Sequence, residues 1–320
     1  MVISENRLKV RIEAIAKETE TIKRFTFVRT DNKALPAFSA GSHIILYLKG
    51  RGGEFERRYS LISNQDSTEN YQIAVKLHEK SSGGSSYLHN KAKIGDILQI
   101  SFPKNYFPLS FHARHHVFLA AGIGITPFLS MLLELKAQGA SFELHYSTKT
   151  KEDCSFYSYL IKEYPQQTYF YFTKQGKRIE TNILLNQYIG THVYLCGPEG
   201  FTSSFSRAAT AIGYPSASIH YEYFSPPNIY KPRPFILKLT NGSFLSVPDE
   251  KSTLDVLLEA GYHVPHSCKI GRCGTCELSI VEGEAEHHDS FLSTKQKDSQ
   301  VSFLPCVSRS KTGFLKVDHS

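Results

Sequence analysis

Over the first hundred residues, apolar side chains recur at every second position. Tyr71, Ile73, Val75 and Leu77 alternate with Gln72, Ala74, Lys76 and His78, the period of a strand with one buried face. Similar short runs at residues 8–12, 25–28, 43–48, 58–62 and 97–102 are separated by glycine and polar turns. Several short strands at this spacing predict a small antiparallel β-barrel.

After about residue 111 the period changes. Residues 117–121 form an apolar strand, followed by a glycine-rich turn and a helix that should stop near Gly139. Strands are expected at 142–146, 168–173 and 193–196, and helices near 155–163 and 199–212. That β/α alternation implies a parallel sheet covered by helices. Residues 225–234 hold four prolines and read as a stiff linker, because proline fixes φ and removes donors. Beyond them, runs at 235–240 and 243–247 flank Asn241-Gly242, a hairpin signal. A helix starts near Ser252, with Asp255 three residues on. The expected organisation is a barrel over 1–110, an α/β domain over 111–225, a linker over 226–234 and a third domain over 235–320.

Composition narrows the picture. At 320 residues with 41% hydrophobic and 21% charged side chains, the chain is globular and long enough for two or three cores at roughly 100–200 residues each. Residues 1–233 carry 28 basic and 19 acidic side chains, and the remainder 9 and 11. No stretch interleaves clustered Lys and Arg with aromatics, which argues against nucleic acid as a partner. The uncharged run at 117–133 is too short for a membrane span and contains Gly122, Gly124 and Pro127. With no signal-peptide pattern at the N-terminus, a cytoplasmic location without membrane attachment is expected.

Four of the six cysteines form the strongest chemical signal. Cys268-x4-Cys273-x2-Cys276 is followed, after 29 residues, by Cys306. This is the plant-type spacing for a 2Fe–2S cluster. Gly271 and Gly274 would let the loop wrap the cluster and bring backbone N–H groups to sulfur. A zinc site usually takes two C-x2-C knuckles, and one is present. The hairpin and helix around the cysteines look like a β-grasp ferredoxin domain.

Ala121-Gly122-Ile123-Gly124-Ile125-Thr126-Pro127 joins a strand to a helix. Glycines there allow a pyrophosphate to approach the helix N-terminus, and Pro127 suits the first helical turn. Pro127 also departs from the usual three-glycine dinucleotide pattern. Cys196-Gly197-Pro198 follows another strand of the same expected sheet. Taken alone, Cys196 reads as a small buried core residue, the commoner fate of a lone cysteine.

Arg57-Arg58-Tyr59-Ser60 and Gly83-Gly84-Ser85 complete the candidates. An arginine can pair a phosphate, a tyrosine can stack on a flat ring, and glycines can leave N–H groups free as an anion nest. Taken in order, Arg57-x-Tyr59-Ser60, the Gly122–Pro127 loop, Cys196-Gly197-Pro198 and the cysteine set resemble the phthalate dioxygenase reductase family, which includes the vanillate demethylase and carnitine monooxygenase reductases. The similarity spans essentially the whole chain. It implies a flavin barrel, a nucleotide domain and a C-terminal ferredoxin domain. It further implies FMN rather than FAD, NADH as donor with NADPH left open, and a Rieske-type terminal oxygenase component as acceptor. By position, Arg57, Tyr59, Ser60, Lys76, Gly83, Gly84 and Ser85 resemble flavin-site residues. Gly122, Gly124, Thr126, Pro127, Cys196, Gly197 and Pro198 resemble nucleotide-site residues. The resemblance puts Ser60 and Cys196 beside the hydride-transfer site and gives Phe224 the aromatic role over the flavin. Residues 103–109 match the segment that closes the barrel. The family often has Arg before its Gly-Gly-Ser, where this chain has Ser82.

Plant-type clusters lie near about −400 mV and Rieske centres at about −150 mV or higher, so delivery in that direction is downhill. Two other readings stay open: a reductase for another acceptor, such as a ferredoxin, a haem oxygenase or a hybrid-cluster-type protein, and a redox sensor without turnover. Lys149 and Lys151, after the second strand of the α/β domain, read either as a 2′-phosphate contact or as solvated lysines. His112, His115, His116, His287 and His288 match no helical metal motif and read as surface or locally hydrogen-bonded. Cys154 reads as a structural thiol, and Tyr157 and Tyr159 as packing.

Overall fold

The computed structural model describes residues 7–50, 53–78, 83–225 and 232–318. Ser82 and most of the proline-rich segment lie outside them. The chain divides into two compact units, 1–222 and 223–320. Among the described residues, no helix is long and apolar enough to cross a membrane.

The first unit begins with β1 (Arg7–Lys17), β2 (Ile22–Arg29), β3 (His43–Gly50), β4 (Gly53–Ser60), β5 (Tyr71–Lys76), α1 (Gly84–Asn90) and β6 (Ile97–Ser101). The strands form one antiparallel sheet in the order β4-β3-β6-β1-β2-β5. Its ends are drawn together just past β4, where Ile62 N donates to Gln72 O of β5 at 2.9 Å. The period-two pattern then has its expected consequence: Val10, Ile12, Phe25, Phe27, Ile44, Leu46, Tyr71 and Ile73 all point into one core.

Two features differ from the sequence reading. The strand expected at 58–62 runs instead from Gly53 to Ser60, in a hairpin paired with β3 as far as Gly50↔Gly53. Glu54, Glu56, Arg57 and Arg58 hide it from an apolar pattern. Residues 83–85 do not form a free loop after a strand: Gly83 is the N-cap of α1. This seven-residue helix has little intrinsic propensity and is held by Leu88, which is buried in the barrel core.

The rest of the unit is β7 (His115–Ala121), a 3-10 turn at Gly122–Ile125, α2 (Thr126–Ala137), β8 (Phe142–Thr148), α3 (Tyr157–Glu163), β9 (Thr168–Phe172), β10 (Thr191–Cys196), α4 (Glu199–Ile212) and β11 (Ile219–Glu222). The short β11 carries no strong pattern and was not expected. The five strands are parallel, in the order β11-β10-β7-β8-β9. Both faces are buried, which explains the unbroken apolar run in β7. Val117 and Leu119 join Val193, Leu195 and Phe205 on one side. Phe118 and Ala120 face α2 on the other. That second core continues into the barrel through Ile22, Ala40, Ile62, Ala74 and Phe107. Gly41 N, ahead of β3, also donates to Ser130 Oγ of α2 at 3.1 Å. Barrel and parallel sheet therefore share one apolar interior.

The second unit contains β12 (Phe235–Leu239), β13 (Phe244–Val247), α5 (Thr253–Glu259), β14 (Leu278–Glu286), α6 (Thr294–Ser299), β15 (Ser302–Phe303) and β16 (Arg309–Asp318). Their sheet runs β13-β12-β16-β14-β15, with β12 and β16 parallel and the other pairs antiparallel. Ser252 caps α5 by accepting from Asp255 N at 3.0 Å. Leu254 and Leu257 of α5 pack on Leu237, Leu315 and Val317.

Candidate functional site

In the parallel sheet the strand order reverses between β7 and β10. The loops that follow these two neighbours are the two nucleotide candidates, so residues far apart in sequence meet at the crevice where such sheets bind ligands. A side chain on Gly124 would overlap the Cys196 carbonyl, and one on Gly197 would lie 2.8 Å from Cβ of Ala121. These glycines let two backbones touch. Gly122 has nothing within 4 Å of where a side chain would stand, leaving an open cradle ahead of α2. Pro127 occupies the first turn of α2, as expected. Thr126 hydroxyl donates to Ile123 O at 3.0 Å and closes the turn. Tyr146 OH of β8 donates to Gly122 O at 3.1 Å. Cys196 is fully buried and packs in the shared core, while Pro198 is the N-cap of α4.

The same turn, Gly122–Ile125, lies against β5. The end of β4 is joined to β5 by the Ile62–Gln72 bond, so the flavin candidates and the nucleotide turn converge. Phe55, Arg57 and Tyr59 share one face of β4. Arg57 packs across the start of α1, where a Cβ on Gly84 would lie 2.9 Å from its Nε, and its guanidinium sits 4.9 Å from the Phe55 ring centroid. Ser85 Oγ accepts from His78 N at 3.3 Å. Lys76 ends β5 opposite Ile22. Burial pushes the Tyr59 hydroxyl above its ordinary range. Ser60, 7% exposed, pairs across the ladder with His43. The sequence reading passed over His43. It is buried with Nε2 unpartnered, and burial, helped by Arg58 and Lys104, lowers its pKa to about 4. These residues offer a cationic group, an aromatic face, a hydroxyl and a glycine-lined helix start around one edge, a donor set that fits a flavin phosphate and ring. Phe224 belongs to the second unit and is 47% exposed.

The cysteines meet in two pairs. Cys268 and Cys273 interact side chain to side chain, as do Cys276 and Cys306. Among the described residues, no group of three or more His, Cys, Asp or Glu converges on a single ion. Two thiolates for each of two irons is what a 2Fe–2S cluster requires. Donors already point at sulfur: Arg272 N to Cys268 Sγ at 3.3 Å, Cys268 N to Cys273 Sγ at 3.4 Å and Thr275 Oγ1 to Cys273 Sγ at 3.1 Å. The contact with Cys268 lowers the Cys273 pKa from its ordinary value, aided by Thr275, favouring a thiolate within this pair. Gly271 and Gly274 have φ of 74° and 71°. A side chain on Gly274 would enter the Phe291 ring, and one on Gly271 would lie 2.6 Å from Val307 Cγ2. Backbone handedness and space together demand glycine.

The features set aside as structural are accounted for locally. His115 and His116 are buried rather than at the surface, and bond to Ser141 and Ser110. Cys154 is buried, which raises its pKa to about 12. Tyr157 packs on Phe170. Lys151 lies 4.6 Å from the Tyr157 ring centroid. Thr275 and the Asp289 region were not identified from sequence, because neither has a diagnostic spacing.

Three family models match in series: an oxidoreductase FAD-binding domain over 9–108, the N-terminal domain of the dimethylamine monooxygenase subunit DmmA-like family over 103–219, and a 2Fe-2S iron-sulfur cluster binding domain over 239–311. The carnitine monooxygenase reductase subunit of Escherichia coli is 38% identical over 97% of this chain and 98% of its own. The heme-dependent oxidative N-demethylase beta subunit of Ectopseudomonas mendocina is 38% identical over 94% and 96%. The solved structure of phthalate dioxygenase reductase aligns with a TM-score of 0.78 at 31% identity, over 98% of both chains. A shared order of flavin, nucleotide and cluster modules along the full length, with cysteines paired two and two, makes this chain a member of the phthalate dioxygenase reductase family.

Proposed function

We propose that this protein is the reductase component of an oxygenase system. It takes electrons from NADH onto FMN and passes them singly through a 2Fe–2S cluster to a terminal oxygenase of Rieske type. The pairing of Cys268 with Cys273 and of Cys276 with Cys306, on a chain that also carries a switch-point nucleotide crevice, is the observation that supports this reading most. A bound flavin supplies the conversion from two-electron to one-electron transfer.

The chain's own residues bind and orient. Gly122, Gly124, Thr126 and Pro127 hold the nucleotide diphosphate at the start of α2, and Cys196, Gly197 and Pro198 form the facing wall. Arg57, Lys76 and the Gly83-Gly84-Ser85 start of α1 carry the flavin phosphate, while Tyr59 and Ser60 meet the ring. For Ser60 and for Cys196, whose side chain packs in the shared core, the place beside the hydride-transfer position is carried by the resemblance alone. For Phe224 the resemblance alone carries the role of guarding the flavin. Residues 1–110, 111–225 and 235–320 are assigned to flavin, nucleotide and cluster, with 226–234 between them. The protein works in the cytoplasm without membrane or nucleic-acid contact.

A second reading has specific support. The N-demethylase relative is heme-dependent by name and as similar as the carnitine monooxygenase relative. A haem oxygenase is therefore the alternative acceptor.

One variant tests the electron order. In Cys273→Ser, reduction of cytochrome c by NADH should fall to background, while anaerobic bleaching of the flavin by NADH survives. Undiminished cytochrome c reduction in a cluster-free variant would overturn the order. Turnover with purified Rieske and haem oxygenases separates the two acceptors.

A further inference from the structure

Behind the cysteine loop lies a buried acid–base pair that the electron-transfer scheme does not use. The chain leaves β14 as Glu286-His287-His288-Asp289-Ser290-Phe291, and this segment backs onto the loop. Ser290 N donates to Gly271 O at 2.9 Å. A side chain on Gly271 would come within 3.0 Å of Asp289 Cα. The Asp289 side chain has no solvent exposure. Its Oδ1 accepts from Phe291 N at 3.1 Å and Leu292 N at 2.8 Å. Lys297 of α6 donates to the Asp289 carbonyl at 2.5 Å and lies 3.8 Å from Oδ1. Oδ2 has no hydrogen-bond partner. Nδ1 of His287 stands 3.6 Å from it, on a side chain 6% exposed, and neither ring nitrogen is hydrogen-bonded.

A buried carboxylate oxygen and a buried imidazole facing each other unsatisfied are costly. A neutral imidazole with its hydrogen on Nδ1 can turn it toward Oδ2, and a second proton would make that interaction charge-assisted and stronger. Burial opposes it and holds His287 below the ordinary histidine range, as do the nearby Lys297 and His288, while Asp289 favours it. Glu286 and Arg309 act on His288 in opposite directions. An added negative charge at the adjacent loop acts in the same direction as Asp289, since charges interact strongly in a low-dielectric interior.

We propose that Asp289 positions the cluster loop and that, with His287, it forms a proton-accepting pair, so that one-electron reduction of the cluster is accompanied by uptake of one proton at His287. The electron comes from NADH by way of the flavin and the proton from solvent. One N–H bond forms at His287, and no heavy-atom bond changes. This rests on the reading of Cys268, Cys273, Cys276 and Cys306 as cluster ligands.

The test is a spectroelectrochemical titration of the full-length holoprotein from pH 5.5 to 9, following the cluster by EPR. In the wild type, the equilibrium constant for reduction should fall up to tenfold per pH unit across a window, ~59 mV per unit for one electron and one proton. His287→Gln should flatten that slope while iron and sulfide stay at two each. Asp289→Asn should move the window to lower pH. A flat wild-type profile with the cluster present overturns the proposal, as does an unchanged slope in His287→Gln. If Asp289→Asn fails to load iron, His287→Gln still decides. A wild type with neither iron nor sulfide would instead sink the cluster reading itself.

Discussion

The nucleotide loop and the cluster loop both depend on glycine, for different reasons. At Gly124 the missing side chain makes room for the backbone of a second loop, so the residue serves the adjacency of β7 and β10. At Gly274 the backbone is left-handed, with φ of 71°, and the vacant space is filled by the Phe291 ring. The first glycine joins two distant parts of a crevice. The second sets the shape of one continuous loop. A ligand held between strand ends needs two loops in register, whereas a cluster held by three cysteines in nine residues needs a single loop that curls back on itself.

The largest effect should come from the cluster side. Gly274→Ala imposes left-handed strain and overpacking together, about 2–4 kcal/mol. We expect substoichiometric iron and a lower melting temperature for the cluster-bearing unit, with flavin reduction by NADH unchanged. Full iron loading at wild-type stability would show that the loop tolerates a side chain and that the distinction is mistaken.

The flavin-bearing region should differ in its response to acid. His43 is protonated in the unfolded chain below about pH 6.5 but resists protonation in the fold until about pH 4. Its contribution is therefore present above 6.5 and lost as pH falls toward 4, about 3 kcal/mol in all. His43→Asn should flatten this part of the stability profile, measured as the pH dependence of the temperature at which flavin fluorescence appears. An identical acid limb in wild type and variant would mean that His43 is not the group responsible.

Gly124→Ala should be milder and purely local. The obstruction is the Cys196 carbonyl, so the two loops must separate, at about 1–3 kcal/mol. The expected reading is a roughly 5–150-fold rise in KM for NADH at normal flavin and iron content. A fall in iron content would erase the contrast with Gly274.

What the sequence revealed follows the same contrast. Cysteine ligation fixes spacing along one short stretch, so the candidate cluster ligands stand out by spacing alone. The strand, glycine turn and helix start at Pro127 were likewise legible, because each has a local physical cause. The candidate flavin edge is different. Arg57, Tyr59, Lys76 and Gly84 come together only when β4, β5 and α1 pack, and α1 itself is a tertiary product with weak propensity. β14 and β16 were hidden by charged and polar residues on their exposed faces. Asp289 and His287 lie two residues apart in a loop, a separation that signals nothing until Gly271 is seen behind them.

The smallest effect concerns fine control within the cluster loop. Thr275 donates its hydroxyl to Cys273 Sγ at 3.1 Å, and hydrogen bonds to cluster sulfur raise the reduction potential by stabilising the more negative reduced state. Replacing Thr275 by Ala removes one such bond, about 1 kcal/mol. For a single electron that is ~40 mV toward more negative values, at ~59 mV per decade. Thr275 lies in the second unit, outside the nucleotide crevice of the first, so KM for NADH should not move. Thr275→Ser, which keeps the hydroxyl, should restore the potential. A potential unchanged in Thr275→Ala would mean that the bond is not retained when iron is bound, and that the loop tunes its cluster through backbone donors such as Arg272 N and Cys268 N alone.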